Sequence, residues 1–152
     1  MTRNTAREIA VHMVFSLSFE NISAEELLSS QLTRERFEEL APDMPLYTQY
    51  PNEKQEQYIR DLVSGVFAHG PELDDYISRY SVGWSFARIP RMAAAIMRTA
   101  MYEVLYMPEI PNAAAINEAV EIAKGYEPPE VVSFINGILG TFVRSEFPEN
   151  AQ

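Results

Sequence analysis

The apolar residues of this chain recur at helical spacing along its length, and this periodicity limits the folds open to it. Near the N-terminus, six apolar residues follow the i, i+3, i+4 pattern of an amphipathic helix: Ala6, Ile9, Ala10, Met13, Val14 and Leu17. No segment shows the alternation of apolar and polar residues that is typical of a half-buried strand. We therefore predict an all-α fold of about seven helices.

Capping and helix-breaking residues indicate where the predicted helices begin and end. Thr2 and Asn4 are both candidates for the N-cap of the first helix. The capping-box pattern at residues 23–26 predicts a second helix that extends toward Leu40. The pair Gly70-Pro71 predicts the boundary between the third and fourth helices.

The segment from residue 110 to the last helix carries its own end signals. Asn112 is predicted to cap a helix that ends at Gly125. Pro129 is predicted near the first position of the last helix, because proline fits there without losing a hydrogen bond.

The length and composition of the chain favour one soluble domain over residues 1–152. Hydrophobic residues make up 47% of the sequence, which is ordinary for a globular protein, and there is no cysteine. The apolar runs are shorter than the roughly 20 residues that a membrane-spanning helix requires. The absence of cysteine removes disulfides and is compatible with a reducing compartment, so we expect a cytoplasmic protein.

The charge of the chain is strongly negative overall but unevenly distributed. A net charge of −10 argues against generic nucleic-acid binding, which depends on neutralising phosphates. No acidic residue occurs between Asp75 and Glu103, however, while four arginines do: Arg79, Arg88, Arg91 and Arg98. The sequence thus predicts a basic patch on an acidic body.

The sequence contains no recognisable catalytic constellation. It has only two histidines, His12 and His69, and lacks the common nucleotide-binding, hydrolase and metalloprotease motifs. Glu118 and Glu121 are three residues apart, which we interpret as a solvated helix face. We therefore expect a non-enzymatic protein with no metal and no cofactor.

Two asparagines interrupt apolar segments that are otherwise explained by core packing. Asn117 follows Ile116, and Asn136 precedes Gly137 inside a predicted helix. A glycine in a helix interior costs about 1 kcal/mol relative to alanine, and it often permits a close helix approach. We predict that the two helices cross near Gly137 and that Asn117 and Asn136 form structural hydrogen bonds there.

Several spaced motifs in the second half of the chain resemble the NusB family of bacterial transcription antitermination factors. The resemblance rests on "RIPRMAAAIMRTAMYEVLYMPEIPNAAAINEAVEIAKGY" and "FINGIL", and on "TAREIAVHMVF" in the first helix. It covers residues 2–18 and 84–145 well, whereas residues 20–80 match only in helix rhythm and length. It implies two packed helical bundles, the ribosomal protein NusE as partner, boxA-type RNA as ligand, and an indirect association with RNA polymerase during ribosomal RNA transcription.

The resemblance also implies which residues contact RNA and which contact NusE. Five positions match the family's RNA-contacting residues: Arg3, Arg7, Lys124, Tyr126 and Phe134. Arginine or lysine would meet phosphates, and an aromatic side chain would stack on an unpaired base. Phe134 has core packing as an equal alternative. Three positions are implied to face NusE: Phe15, Ala93 and Ala94.

Two departures from the family pattern keep a second function open. Asn4 occupies a position where the family often has arginine, and Ala93 and Ala94 replace residues that are often charged. The change at Ala93 and Ala94 implies altered NusE docking. The thin basic arm and the net charge of −10 also suit an acidic helical adaptor that binds a basic ribosomal protein without RNA. A third alternative, the accessory domain of some RNA methyltransferases, is disfavoured because 152 residues leave no room for a catalytic domain.

Overall fold

The computed structural model describes residues 1–150, which contain eight α-helices and no β-strand. The helices are α1 (Arg3–Leu17), α2 (Ala24–Gln31), α3 (Arg34–Leu40), α4 (Glu53–Ala68), α5 (Gly70–Tyr80), α6 (Arg91–Tyr106), α7 (Asn112–Lys124) and α8 (Pro129–Glu146). Short 3-10 helices occur at Pro45–Tyr47, Phe86–Arg88 and Pro148–Asn150. The all-α prediction is confirmed, and no helix within the described residues is both long and apolar enough to cross a membrane.

The additional helix arises because the segment predicted as one second helix divides into α2 and α3. Leu32 leaves the helical region, with φ −95° and ψ 67°. Its carbonyl accepts a 3.0 Å hydrogen bond from the Tyr50 hydroxyl, which comes from the loop before α4. Thr33 then caps α3 by accepting the backbone N–H of Arg36 at 3.1 Å. A new N-cap immediately after the break allows the chain to start a second short helix.

Most predicted helix ends agree with the structure, and one does not. Thr2 caps α1 by accepting the N–H of Thr5, and Ser23 caps α2 by accepting the N–H of Glu26, each at 3.1 Å. Helix α7 ends at Gly125 and α8 begins at Pro129, as predicted. The prediction that Asn112 caps α7 was wrong. Pro111 provides the extended backbone of the cap position, so Asn112 is already the first helical residue.

The chain forms two compact units, of which the first is Met1–Ala68. In this unit α1 packs along α4, and α2 contacts both helices. Its core consists of fully or almost fully buried apolar side chains, among them Ile9, Leu27, Phe37, Ile59 and Leu62. Each such side chain contributes about 1.5–3 kcal/mol through its removal from water.

The second unit begins at His69 and is organised around α6. Helix α6 contacts α5, α7 and α8, and its alanines, Met97 and Met101 are buried. Small alanine side chains allow the neighbouring helices to approach α6 closely. Two ion pairs link helices of the unit: Arg98 of α6 to Asp74 of α5 at 2.6 Å, and Arg79 of α5 to Glu146 of α8 at 3.0 Å.

Helices α7 and α8 pack against each other as predicted, but not through the residues proposed for their crossing. Asn117, Asn136 and Gly137 are all exposed, and a Cβ at Gly137 would meet no atom within 4 Å. The prediction of buried amides at a close crossing was therefore wrong. Ile135 and Ile138 occupy the buried stripe of α8, and the helical repeat turns Asn136 away from that stripe.

Candidate nucleic-acid interface

The two arginines at the N-terminus have different environments. Arg3 is exposed, and its guanidinium carbon lies 5.1 Å from the centroid of the Tyr58 ring. Arg7 is only 2% exposed and donates a 2.6 Å hydrogen bond from Nη1 to Asn4 Oδ1. Its guanidinium carbon lies 6.0 Å from the same Tyr58 ring. Arg3 is thus accessible to a phosphate, whereas the structure places Arg7 in the interior, contrary to its implied role in RNA contact.

A cleft next to Arg3 brings a second cation to the same place. It has a volume of about 220 Å³ and is lined by Arg3, Ala6, Asn52, Lys54, Gln55 and Tyr58. Gln55 anchors the N-terminus here, because its side-chain amide donates a hydrogen bond to the backbone carbonyl of Met1. Lys54 is exposed, and its place beside Arg3 was not predicted. The two cations are 51 positions apart in the sequence, so no local pattern indicated that they line the same cleft.

The end of α7 presents one lysine and one tyrosine at the surface of the second unit. Lys124 Nζ lies 3.1 Å from Glu121 Oε1, and both side chains are more than half exposed. Glu121 therefore pairs with Lys124, which agrees with a solvated helix face. Tyr126 follows the helix end and is 38% exposed. Exposed ion pairs of this kind contribute little, about 0–1 kcal/mol, so a phosphate could displace Glu121.

Phe134 is half-buried and packs against Trp84, a residue to which the sequence analysis gave no role. Its ring centroid lies 4.5 Å from that of Trp84, and the two ring planes make an angle of 31°. Trp84 is 37% exposed, although it is a large aromatic residue. The chain has a single tryptophan, and it falls in the acid-free segment between Asp75 and Glu103. A single tryptophan in an acid-free segment was the sequence feature that could have marked Trp84 as a candidate site residue.

The family model of the NusB family matches residues 4–144 of this chain. The chain belongs to the NusB family. It is similar to the transcription antitermination protein NusB of Acetivibrio thermocellus, with 40% identity over 145 residues that cover 95% of this chain and 90% of that protein.

Solved structures agree with this membership in the NusB family. A T. maritima NusB structure matches with a TM-score of 0.78 and 27% identity, covering 95% of this chain and 92% of that one. A chain from a crystal structure of the antitermination factors NusB and NusE in complex with dsRNA matches with a TM-score of 0.74, covering 94% and 96%. At 20% identity, the second match shows the shared fold alone.

The three residues that the NusB resemblance assigned to partner binding differ in accessibility. Phe15 is half-buried, and its ring meets that of Phe19 edge-on with centroids 4.8 Å apart. Phe19 is 59% exposed, so this pair offers apolar surface to a partner. Ala93 is fully buried and Ala94 is 5% exposed. Their side chains lie in the core and offer a partner almost no surface, contrary to the implied docking role.

His12 contacts a tyrosine and is part of the structure of the first unit. Its Nδ1 lies 2.8 Å from the Tyr47 hydroxyl. Burial lowers the pKa of His12, while the charge of Glu8 acts in the opposite direction. Burial also raises the pKa of Tyr47 to about 12. The neutral forms of both residues are therefore favoured in the folded protein.

Proposed function

We propose that this NusB-family protein is a transcription antitermination factor that binds boxA-type single-stranded RNA together with NusE. In this role it joins the elongating RNA polymerase indirectly, on nascent ribosomal RNA in the cytoplasm, and performs no catalysis. The observation that carries the proposal is the family match over residues 4–144, combined with 40% identity to a protein named for antitermination. Because that match begins in the first compact unit and ends in the second, we treat both units as one functional domain.

In the first unit, the proposed RNA contacts are Arg3 and Lys54. Both side chains are exposed and line the same cleft, where the guanidinium and the ammonium could each meet a phosphate. Arg7 supports this site indirectly, since it is hydrogen-bonded to Asn4 inside the turn that carries Arg3. Phosphate contacts position the RNA without reading its sequence.

In the second unit, the proposed RNA contacts are Lys124, Tyr126 and the aromatic pair that includes Phe134. Lys124 is exposed, and on RNA binding its ammonium group would leave Glu121 and pair with a phosphate. Tyr126 is exposed directly after the end of α7. Aromatic side chains stack on unpaired bases with about 1–3 kcal/mol per base, so they would favour single-stranded over fully paired RNA.

NusE is proposed as the partner that makes RNA binding strong. The chain carries a net charge of −10, which repels RNA and attracts a basic protein. The apolar pair of half-buried Phe15 and exposed Phe19 is proposed as part of the NusE surface, since it combines apolar area with the acidic residue Glu20. The buried residues Ala93 and Ala94 would act there only by shaping the helix packing.

The adaptor function without RNA remains the second candidate, and the charge pattern favours it. Arg7 is buried and bonded to Asn4, and Lys124 is paired with Glu121. Two of the three cations assigned to RNA by resemblance are therefore engaged within the protein. The adaptor would bind NusE through its acidic and apolar surface alone.

A transcription assay distinguishes the two candidates. A template with a ribosomal RNA leader and a downstream terminator is transcribed with polymerase, NusE and the other elongation factors, with and without this protein. We expect readthrough to rise only when the protein is present and boxA is intact. Equal readthrough on a template with scrambled boxA would support the adaptor function instead.

A further inference from the structure

The connector between α5 and α6 carries an exposed aromatic side chain on a defined turn. Gly83 has φ +85°, a left-handed conformation that glycine adopts without strain. Buried Ser81 contacts both backbone polar groups of Trp84. The Ser81 carbonyl accepts the backbone N–H of Trp84 at 3.4 Å, and the Ser81 hydroxyl lies 3.3 Å from the Ser78 carbonyl and 3.4 Å from the Trp84 carbonyl, both of which are acceptors. These contacts define the turn that carries Trp84.

The geometry of the Trp84–Phe134 pair decides which ring faces solvent. A centroid distance of 4.5 Å is at the short end for packed aromatic rings, so no base can enter between them. Phe134 packs against the indole at a tilt of 31°, and 37% of Trp84 remains exposed. Phe134 itself is half-buried.

The chain segment that carries Trp84 suits a polyanion, whereas the helix that carries Phe134 has Glu130 one turn earlier. Residues 76–102 contain no acidic side chain. Two of the arginines in this segment are already engaged, Arg79 with Glu146 and Arg98 with Asp74. Arg88 differs from them, because it is exposed and has no ion-pair partner among residues 1–150. It belongs to the 3-10 helix Phe86–Arg88, so a guanidinium without an ion-pair partner lies four residues along the chain from the exposed indole.

We propose that Trp84 presents the face on which an unpaired base of the bound RNA stacks. Phe134 is then a positioning residue that supports the indole from behind, and Arg88 meets a neighbouring phosphate. This inference rests on the proposed RNA-binding function and adds to it the residue that touches the base. It also changes the role of Phe134, which the family resemblance implied as a contact residue.

The single tryptophan of the chain makes a direct test possible. Because Trp84 is the only tryptophan, intrinsic indole fluorescence reports on this position alone. A boxA-type RNA is titrated into the protein, with and without NusE, and binding is followed separately by the anisotropy of a labelled RNA. The Trp84→Phe protein with NusE provides the blank for any tryptophan in NusE. We expect quenching of Trp84 with the same midpoint as the anisotropy change.

Variants and an abasic RNA separate base stacking from charge. Trp84→Ala is expected to weaken RNA binding by roughly 5- to 150-fold, the range for losing one stacked base. Trp84→Phe should retain most of the affinity, because a stacking face remains. An abasic RNA of the same length should bind the parent and Trp84→Ala equally. Phe67→Ala is the matched control, since Phe67 is 50% exposed in α4 and should leave RNA binding unchanged.

The outcomes that contradict the inference differ from those that contradict the proposed function. RNA binding by anisotropy without a change in Trp84 fluorescence would overturn the stacking role and leave RNA binding intact. Equal affinities for the parent and a folded Trp84→Ala protein would do the same. No RNA binding by the parent in the presence of NusE would overturn the proposed function, and the inference with it.

Discussion

The Arg7 guanidinium donates a 2.6 Å hydrogen bond to Asn4 Oδ1 and is almost completely buried beside the Tyr58 ring. This relationship separates Arg7 from Arg3, although both residues were assigned to RNA by resemblance. The long side chain of Arg7 packs within the first unit, and its charge is satisfied there. Arg3, one helical turn earlier, remains at the surface.

Replacement of Arg7 should therefore affect stability more than replacement of Arg3. We expect Arg7→Ala to lower the free energy of unfolding by about 1–3 kcal/mol, because a buried charged hydrogen bond and packed methylene groups are lost. Arg3→Ala should change it by less than about 0.5 kcal/mol, as is usual for surface positions. Urea unfolding of both variants measures this difference. Equal effects would show that Arg7 is not a structural residue.

The salt dependence of RNA binding should identify Arg3 and Lys54 as phosphate contacts. For single-stranded nucleic acid, each contact contributes about −0.7 to the slope of log affinity against log salt. We expect Arg3→Ala and Lys54→Ala each to flatten the slope by about 0.7 in the presence of NusE. Arg60→Ala serves as the matched control, because Arg60 lies on the same helix and pairs with Glu56. An unchanged slope in the double variant would exclude the cleft as an RNA site.

The exposed glycine in α8 offers a stabilising substitution. Gly137 lies within the helix, and a Cβ there would meet nothing within 4 Å. Gly137→Ala should raise the free energy of unfolding by about 0.5–1 kcal/mol, since alanine is the better helix former. Gly140→Ala is a useful comparison, because its Cβ would lie 3.0 Å from Arg144 Nη1 and require that side chain to move. A destabilised Gly137→Ala protein would restore the close-crossing hypothesis.

The environment of His12 predicts a loss of stability in mild acid. Its pKa is lowered in the folded state by burial, so the unfolded chain binds the proton more readily. The stability contributed by neutral His12 is present above the ordinary histidine pKa of about 6.5 and decreases as pH falls through that value. His12→Gln should therefore show a smaller drop in melting temperature between pH 7.5 and pH 5 than the parent. Identical drops would mean that His12 titrates alike in both states.

The sequence predicted the helices well because their end signals are local. Ser23, Gly125 and Pro129 act on their own backbone neighbours, and their helices end or begin where expected. The break at Leu32 was missed because it involves Tyr50, which is distant in sequence. Asn117 was misjudged because apolar neighbours along the chain do not mean burial on a helix, where adjacent residues point about 100° apart.

The candidate site was harder to predict because accessibility depends on tertiary contacts. Arg3 and Arg7 have the same charge and both lie near the Tyr58 ring, yet Arg7 is buried and bonded to Asn4 whereas Arg3 is exposed. Lys54 joins Arg3 through the packing of α1 on α4, which no local pattern encodes. The resemblance supplied positions for RNA contact, but it could not indicate which of those side chains face solvent.

Titration of labelled boxA RNA with this protein, alone and with saturating NusE, tests the central proposal most directly. We predict weak binding by the protein alone, because few exposed cations oppose a net charge of −10, and at least about tenfold tighter binding with NusE. A scrambled RNA of equal length should show little of this gain. Absence of RNA binding in the presence of NusE, with NusE itself bound, would contradict the proposal and establish the adaptor function instead.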